Sequence, residues 1–573
     1  MKQQSKFSFF VVLAMFGLLF LNSAAQAATP GPGAEQERFQ QESKAKEMKM
    51  RLEDADRQAD IEYPKEAPKS QEETREELAF FVEKINVTGN TVISDAEIHK
   101  ITAPHEGKEL KLSEIKTVAE EITRLYNAKG YLTCRAYIPP QKIETKTIEI
   151  QVLEGKLGAV NVQGNKYSKP ERITRYVKSL GGKVVDYDTL KKYISKMNLH
   201  PDREVKAVIM PGKDLGTSDL LLDVKDSFPF HIGLDVNNFG TKLTGKERYG
   251  LSMRHTNFSG RDDILAARLQ WGELVFAIGT QYVVPVGDHD TELGASFNYT
   301  DVNIGGDFSV LDIGGKAYTY SLFVNQPIFD SRYVDLTWTG SFESKSIQNR
   351  LLGTPSTNDE LRMFHTGINV DEIDRYGRTF IVNDLTYGAD FMGASDKNDA
   401  SLSRSGGGAP FFKYDVVANR VHPVHDSTNL YMKASGQLAS DKMVSAEQYD
   451  IGGVYSVRGY PQSDYLGDMG AGGSMELRVP FYFIPRTTKA PWSEEPLWNR
   501  INFVGFFDGA YAKLRSPAVG ERPSRSYMGA GGGIRFDLPR NLTGRFEWAS
   551  PVGDKPQDGS NGQFYFSVSG DLV

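Results

Sequence analysis

Between Phe228 and Val573 no helical period of useful length occurs; apolar and polar residues alternate instead. Phe230, Ile232, Leu234 and Val236 make one such run, Tyr318, Tyr320, Leu322 and Val324 another, Leu542, Gly544, Phe546 and Trp548 a third. A period of two places one residue set on each face of a strand. Eleven runs precede a long loop at Ser456–Pro461 and five follow it, near 474–482, 501–512, 527–537, 541–549 and 563–572. Sixteen is even, as single-chain bacterial membrane barrels require, and about 22 residues per strand plus connection suits spans of roughly ten residues with long outer loops. The final run, Phe564, Phe566 and Val568, can close the cylinder against the first. The expected fold is a transmembrane β-barrel of sixteen antiparallel strands over 228–573, against a soluble sandwich or propeller sharing the alternation. A hydrophobic content of 39% and a charged content of 25% exclude a helical membrane protein but not a barrel, whose strands expose only every second residue to lipid.

Residues 1–27 bear the marks of a cleaved secretory signal: Lys2 and Lys6, the apolar run Phe7 to Leu21, then Ala25-Gln26-Ala27. The single cysteine, Cys134, allows no internal disulfide and is expected to be a buried strand residue. A net charge of -7 argues mildly against nucleic acid as a partner.

After Pro30–Gly33, residues Ala34 to Glu62 contain neither Gly nor Pro, and Glu42/Lys46, Glu47/Arg51 and Glu53/Arg57 stand at i,i+4 spacing. The pattern predicts a helix polar nearly all round, about 40 Å long, suited to a water-filled barrel. Residues 28–62 are thus expected to be an N-terminal plug helix, and 63–79, with Pro64 and Pro68, a linker.

Two related units follow, at 80–155 and 156–227. Ile85-Asn86-Val87-Thr88-Gly89-Asn90 is echoed by Val160-Asn161-Val162-Gln163-Gly164-Asn165, each an alternating strand entering a Gly-Asn turn. Helical patterns over 95–101 and 112–129 in the first unit, and 169–180 and 187–198 in the second, each precede two closing strands. The order β-α-α-β-β, repeated, predicts two small α+β domains in tandem. Gly130-Tyr131, Ala136-Tyr137-Ile138-Pro139-Pro140-Gln141 and Val152-Leu153-Glu154-Gly155 resemble the end of the first POTRA domain of two-partner secretion (TpsB-type) transporters, the haemolysin/filamentous-haemagglutinin secretion-activation family. Pro201-Asp202-Arg203, Pro211-Gly212 and Gly216-Thr217-Ser218-Asp219-Leu220 resemble the end of the second.

The loop Ser456-Val457-Arg458-Gly459-Tyr460-Pro461 carries one arginine, and Asp508 stands on the polar side of a strand, which a barrel turns toward its lumen. The resemblance implies that this sixth extracellular loop folds inward and that Val457, Arg458, Gly459 and Tyr460 form a loop-to-barrel lock with Phe506 and Asp508 of the thirteenth strand. In the family the wall motif is Phe-x-Asp-x-Gly; here the glycine comes one place early, as Gly509, and Ala510 fills the usual slot. An arginine suits such a lock because its planar fork holds a carboxylate through two parallel hydrogen bonds.

No catalytic constellation is visible, and no enzyme is expected. Gly155-Lys156, Gly182-Lys183 and Gly245-Lys246 lack the hydroxyl residue of a phosphate loop, and His105-Glu106 lacks the second histidine of a zinc protease, Glu109 standing there. Gly529-Ala530-Gly531-Gly532-Gly533 lies inside a strand and marks close packing by another segment. No cofactor or metal is expected. The resemblance implies a monomeric outer-membrane pore with periplasmic POTRA domains, surrounded by outer-membrane lipid, that exports an unfolded TpsA-type exoprotein, an adhesin or haemolysin, without ATP. Cargo is expected to add a strand to a POTRA sheet edge at Thr133–Ile138 or Glu204–Met210, with Thr133, Arg135, Tyr137, Val205 and Val208 as contact candidates. An assembly insertase of the same superfamily, and more remotely a passive porin, remain as alternatives.

Overall fold

The computed structural model describes residues 31–53, 60–62, 79–142, 146–287, 290–331, 333–539 and 541–572, with backbone alone at 45–53 and 60. The signal segment 1–27 and nearly all of the linker 63–79 lie outside the described residues. Two compact units result, one dominated by residues 54–229 and the other by 31–53 with the chain from Phe230 onward.

The first unit contains the tandem repeat. Strand β1 (Asp60–Glu62) is followed by β2 (Phe80–Val82), β3 (Lys84–Thr88), β4 (Lys108–Leu110), β5 (Arg135–Tyr137) and β6 (Thr147–Leu153). In the first module β3 and β5 flank β6, and β2 pairs with β4 in a ribbon that alternation did not suggest. Helix α2 (Asp95–Thr102) and the amphipathic α3 (Leu112–Ala128) cover the sheet, α3 burying Ile115, Val118, Ile122 and Tyr126. The second module has β7 (Lys156–Gln163), α4 (Pro170–Lys178), α5 (Tyr187–Met197), β8 (Arg203–Pro211) and β9 (Thr217–Asp226).

Each module fastens its Gly-Asn turn with a carboxylate from its closing strand. Glu154 accepts from the amides of Thr91 (2.7 Å) and Val92 (3.0 Å), from the Thr91 hydroxyl and from Tyr126 Oη (2.8 Å). Asp226 accepts in the same way from the amides of Lys166, Tyr167 and Ser168 at 2.7–2.9 Å. The turn glycines have φ of +88° (Gly89) and +83° (Gly164), and a Cβ on either would fall within 2.5 Å of the carbonyl of Val152 or Val224. Burial pushes the Glu154 carboxyl up, but the hydrogen bonds from Thr91, Val92 and Tyr126 outweigh it and hold the group below its usual range. Cys134 is buried just ahead of β5, and burial pushes its thiol up to about 11, far from a reactive thiolate.

Two expectations need correction here. The helix predicted over Ala34–Glu62 is present in the described residues from Pro32 to Glu53 (α1), whereas Asp60–Glu62 are extended rather than helical. Pro32 belongs to the helix because its fixed φ and missing N–H are harmless in the first turn; the amides of Ala34 and Glu35 instead reach back to the Gly31 carbonyl. The second correction concerns β8. The sheet order is β1-β8-β9-β7, with Asp60, Ile61 and Glu62 pairing in parallel with Lys206, Ala207 and Val208, so the chain itself covers that edge. Val205 moreover turns its side chain into the core, fully buried, and Val208 is half-buried beside β1.

The second unit is a closed barrel of sixteen antiparallel strands. Its first eleven are β10 (Phe230–Asn237), β11 (Arg248–His255), β12 (Ile264–Trp271), β13 (Val275–Val286), β14 (Thr291–Asn303), β15 (Gly314–Asp330), β16 (Val334–Leu351), β17 (Thr354–Asp374), β18 (Gly377–Gly388), β19 (Phe411–His425) and β20 (Thr428–Ala439). A ribbon of β21 (Tyr449–Ile451) and β22 (Tyr465–Gly467) lies within the following loop. The barrel resumes with β23 (Met469–Pro480), β24 (Ile501–Lys513), β25 (Ser524–Leu538), β26 (Leu542–Val552) and β27 (Gln563–Asp571), and β27 pairs with β10 through Ser567–Asp571. Among the described residues no helix is long and apolar enough to cross a membrane; strands do so. Phe503 and Phe507 of β24 point outward, exposed, while Val504, Phe506 and Asp508 point inward, buried. Outward aromatics such as Tyr320, Trp338 and Trp548 supply the lipid face.

Candidate functional site

Helix α1 lies against the inward-facing side of β14, β15 and β16. The bare charge pattern of the helix finds its partners there. Gln36 donates to the carbonyls of Asn298 and Ala317 and accepts from the Thr319 hydroxyl at 2.9 Å. Glu42 accepts from Arg268 at 2.6 Å and Gln270 at 2.7 Å, and Glu35 from Arg38 at 2.8 Å. Phe39, the one large apolar residue of this half of the helix, lies beneath the Arg268 guanidinium, 5.3 Å from ring centre to guanidinium carbon. A helix with no apolar stripe is buried here because a polar barrel wall satisfies it.

The loop between β20 and β23 turns inward and brings Arg458 onto the wall. Arg458 Nε donates to one oxygen of Asp508 at 2.7 Å and Nη2 to the other at 2.9 Å, while its backbone amide reaches the same carboxylate at 3.1 Å. The Asp508 side chain has no exposed surface. The guanidinium lies over the Phe506 ring, 3.4 Å from its centroid. Val457 is buried, and Tyr460 stacks on Tyr527 at 4.0 Å while its hydroxyl donates to the Asp554 carbonyl. The Gly459 amide donates to Tyr565 Oη at 3.0 Å, and Gly459 has φ of +100°. All six residues named from the motif thus meet in one place.

Sequence reasoning missed what surrounds them. Arg458 Nη1 also reaches Glu476 of β23 (2.8 Å) and Glu547 of β26 (3.3 Å). Arg535 of β25 bridges those two glutamates at 2.6–2.7 Å, and Arg478 donates to Glu476 at 2.8 Å. Three guanidinium groups therefore face three carboxylates in one network, with Lys433 and Arg545 as further cations within electrostatic reach of Asp508 and Glu547. The available signal was parity: Glu476, Arg478, Arg535 and Glu547 occupy inward positions of lipid-spanning strands, where charge is tolerated only toward a lumen. The glycine run 529–533 is the floor of the site. A Cβ on Gly529 would lie 1.8 Å from the Arg458 carbonyl oxygen, and one on Gly531 2.6 Å from the Phe506 ring. Ala510, in the slot the family gives to glycine, is buried among Val457, Tyr460 and Tyr527.

Two further contacts fasten the same loop. Glu447 accepts from Lys345 of β16 and Lys413 of β19, each at 2.6 Å, and the neighbouring Ala446 packs where a Cβ on Gly33 of α1 would stand, 2.6 Å away. Asp468 accepts from the amides of Met443 (2.8 Å) and Arg515 (2.6 Å) and from the side chain of Arg404, tying three extracellular loops together. Of the expected cargo-contact residues, Thr133, Arg135 and Tyr137 lie at or beside the β5 edge, whereas Val205 and Val208 lie on the covered strand.

A sixteen-stranded barrel holding a helix and an inward loop, joined to small β-α-α-β-β modules, defines an outer-membrane protein of the POTRA-barrel class. The chain matches the model of the haemolysin secretion/activation protein ShlB/FhaC/HecB over residues 216–492 and that of the ShlB-type POTRA domain over 80–155. It belongs to that family, the two-partner secretion outer-membrane transporters. It is 23% identical over 512 residues to the outer membrane transporter CdiB of Dickeya dadantii, covering 87% of this chain and 88% of the relative. Its fold is similar to that of CdiB from Escherichia coli, with a TM-score of 0.71, 21% identity, and coverage of 96% and 100% of the two chains. BamA from Haemophilus ducreyi is similar in fold more distantly, with a TM-score of 0.54, 14% identity, and coverage of 86% and 100%.

Proposed function

We propose that this transporter captures an unfolded exoprotein by strand addition to the β5 edge of the first POTRA module, and passes it through the barrel once α1 withdraws and the Arg458 loop shifts. The observation that carries this reading is the filled lumen: α1 and the loop both occupy inward wall surface through polar contacts that exchange readily for water. A pore plugged by hydrogen bonds rather than by an apolar core can open without unfolding the barrel. Strand β5 supports the capture step because it is a sheet edge with Arg135 exposed, whereas β8 becomes available only if Asp60–Glu62 leave.

In this reading the limits 80–155, 156–227 and 228–573 are those of the two POTRA modules and the barrel, and Val457, Arg458, Gly459, Tyr460, Phe506 and Asp508 are the lock that positions the loop. The protein works as a monomer, takes no nucleotide and performs no covalent chemistry; folding of the exoprotein outside the cell draws it forward. The test is secretion of a partner exoprotein by a chain lacking residues 80–226. The barrel is expected to insert while secretion is lost, and normal secretion overturns the proposal.

A further inference from the structure

Bacterial barrels keep their periplasmic turns short, and here the connections at 287–290, 331–333, 375–376, 426–427 and 539–541 are so, with 256–263 somewhat longer. The connection from β23 to β24, residues 481–500, stands apart. It is built rather than loose. Phe481 still pairs with the start of β24, its amide donating to the Ile501 carbonyl at 3.0 Å. The chain then makes a small hairpin in which the amides of Ala490 and Leu497 donate to the carbonyls of Glu495 (2.7 Å) and Thr488 (2.8 Å). Trp498, buried at its base, stacks on Tyr482 and lies beneath the Arg486 guanidinium.

Two features show which way the hairpin looks. The first is continuity with the lipid face. Phe503 points outward from β24; Phe481 stacks on it with centroids 3.9 Å apart, and Phe483 packs on Phe481 at 4.9 Å, so the aromatic surface runs off the barrel wall onto the turn. Phe483 is 71% exposed. The second is the tip. Ala490-Pro491-Trp492-Ser493 closes as a turn, the Ser493 amide donating to the Ala490 carbonyl at 3.3 Å, with proline at its second position and Trp492 at its third. That third position has φ of +60°, a conformation suited to glycine or asparagine, yet it carries the largest side chain, 69% exposed. A strained backbone that displays an exposed indole is a mark of function. Arg486 lies over the Trp498 ring and Lys489 immediately precedes the tip, the two paired with Asp426 and Glu494. Aromatic rings bordered by charged heads match the boundary between headgroups and acyl chains.

We propose that residues 481–500 form an interfacial anchor that lies in the periplasmic leaflet, with Phe483 and Trp492 seated among phospholipids at the headgroup boundary. Such an anchor fixes the depth and rotation of the barrel on the side of β23 and β24, the strands that carry Glu476 and Asp508.

The test uses the full chain in nanodiscs of dioleoylphosphatidylcholine, and in nanodiscs of the same lipid brominated on its acyl chains. The emission of Trp492 is obtained by subtracting the Trp492→Phe spectrum from that of the wild type. In the brominated discs this emission is expected to fall by about half or more, and aqueous iodide is expected to leave it unchanged. Emission quenched by iodide and indifferent to bromine overturns the proposal. So does emission shielded from iodide only when an N-terminal exoprotein fragment is added, which assigns the tip to polypeptide capture instead. Trp492→Gly suits the backbone at that position, so it is expected to keep the heat-modified gel mobility of a folded barrel and serves as the control for folding.

Discussion

The carbonyl oxygen of Arg458 lies 1.8 Å from where a Cβ on Gly529 would stand. The loop tip rests on bare backbone, and the atom it would meet is itself backbone, so no rotamer change relieves the clash. Gly529→Ala is therefore expected to lift the tip off the wall, with Arg458 and Asp508 both intact, at a cost of about 1–3 kcal/mol. Protease cleavage within 456–461 on the folded barrel checks it: faster cleavage is expected, and wild-type protection counts against a seated tip.

Removing Asp508 does not leave Arg458 alone, because Glu476 and Glu547 still face it. Asp508→Ala should thus destabilise the loop by less than the roughly 3–5 kcal/mol typical of breaking an isolated buried pair. Glu476→Ala deprives Arg458, Arg478 and Arg535 together and should cost more than Asp508→Ala. Urea unfolding in detergent, followed by gel mobility, gives the ranking; the reverse order would place the energetic centre on Asp508.

Glu447→Gln leaves Lys345 with Glu343 and Lys413 with Asp415 but removes the carboxylate that ties both lysines to the loop, and so loosens the turn that packs on Gly33 of α1. The helix should leave the lumen more often. In planar bilayers the variant is expected to show about a tenfold greater open probability than the wild type, a shift of about 1.4 kcal/mol. An unchanged open probability would separate the Glu447 contact from the helix.

The carboxyl of Glu154 is held below its usual range in the folded state, by hydrogen bonds that outweigh burial. Its contribution to stability is therefore fully present above the unfolded value of about 4.3, and is lost as pH falls through the lower folded value. Amide protection across 85–153, taken relative to the intrinsic exchange rate at each pH, should stay high at neutral pH and fall in acid, below about pH 4. Glu154→Gln should show part of that loss of protection already at neutral pH; a variant as protected as the wild type would remove Glu154 from the account.

Ile61→Pro deletes an amide from β1 and should release Asp60–Glu62 from β8. Exchange at Lys206–Val208 is expected to rise while β9 stays protected. No change there would mean that β8 holds its edge without β1.

Much of this was legible before any coordinates, for a physical reason. Lipid on one side and water on the other force strict alternation, so Phe230 to Val236 or Tyr318 to Val324 announce their strands, and sixteen can be counted. Arg458 and Asp508 could be named because a motif holds them at recognisable places. Glu476, Glu547 and Arg535 could not, since their meeting depends on register between β23, β24, β25 and β26, which no single strand encodes. Strand β1 escaped notice because three residues carry no period, and their extended form comes from the partner β8 rather than from Asp60-Ile61-Glu62 themselves.

Arg458 is held in common by carboxylates on three different strands. In the proposed export cycle a tip leaving the wall would give up Asp508 while Glu476 or Glu547 still attends its charge, a hand-over in small steps rather than the baring of a lone cation. A loop so held would be tenacious at rest and quick to yield to a passing polypeptide.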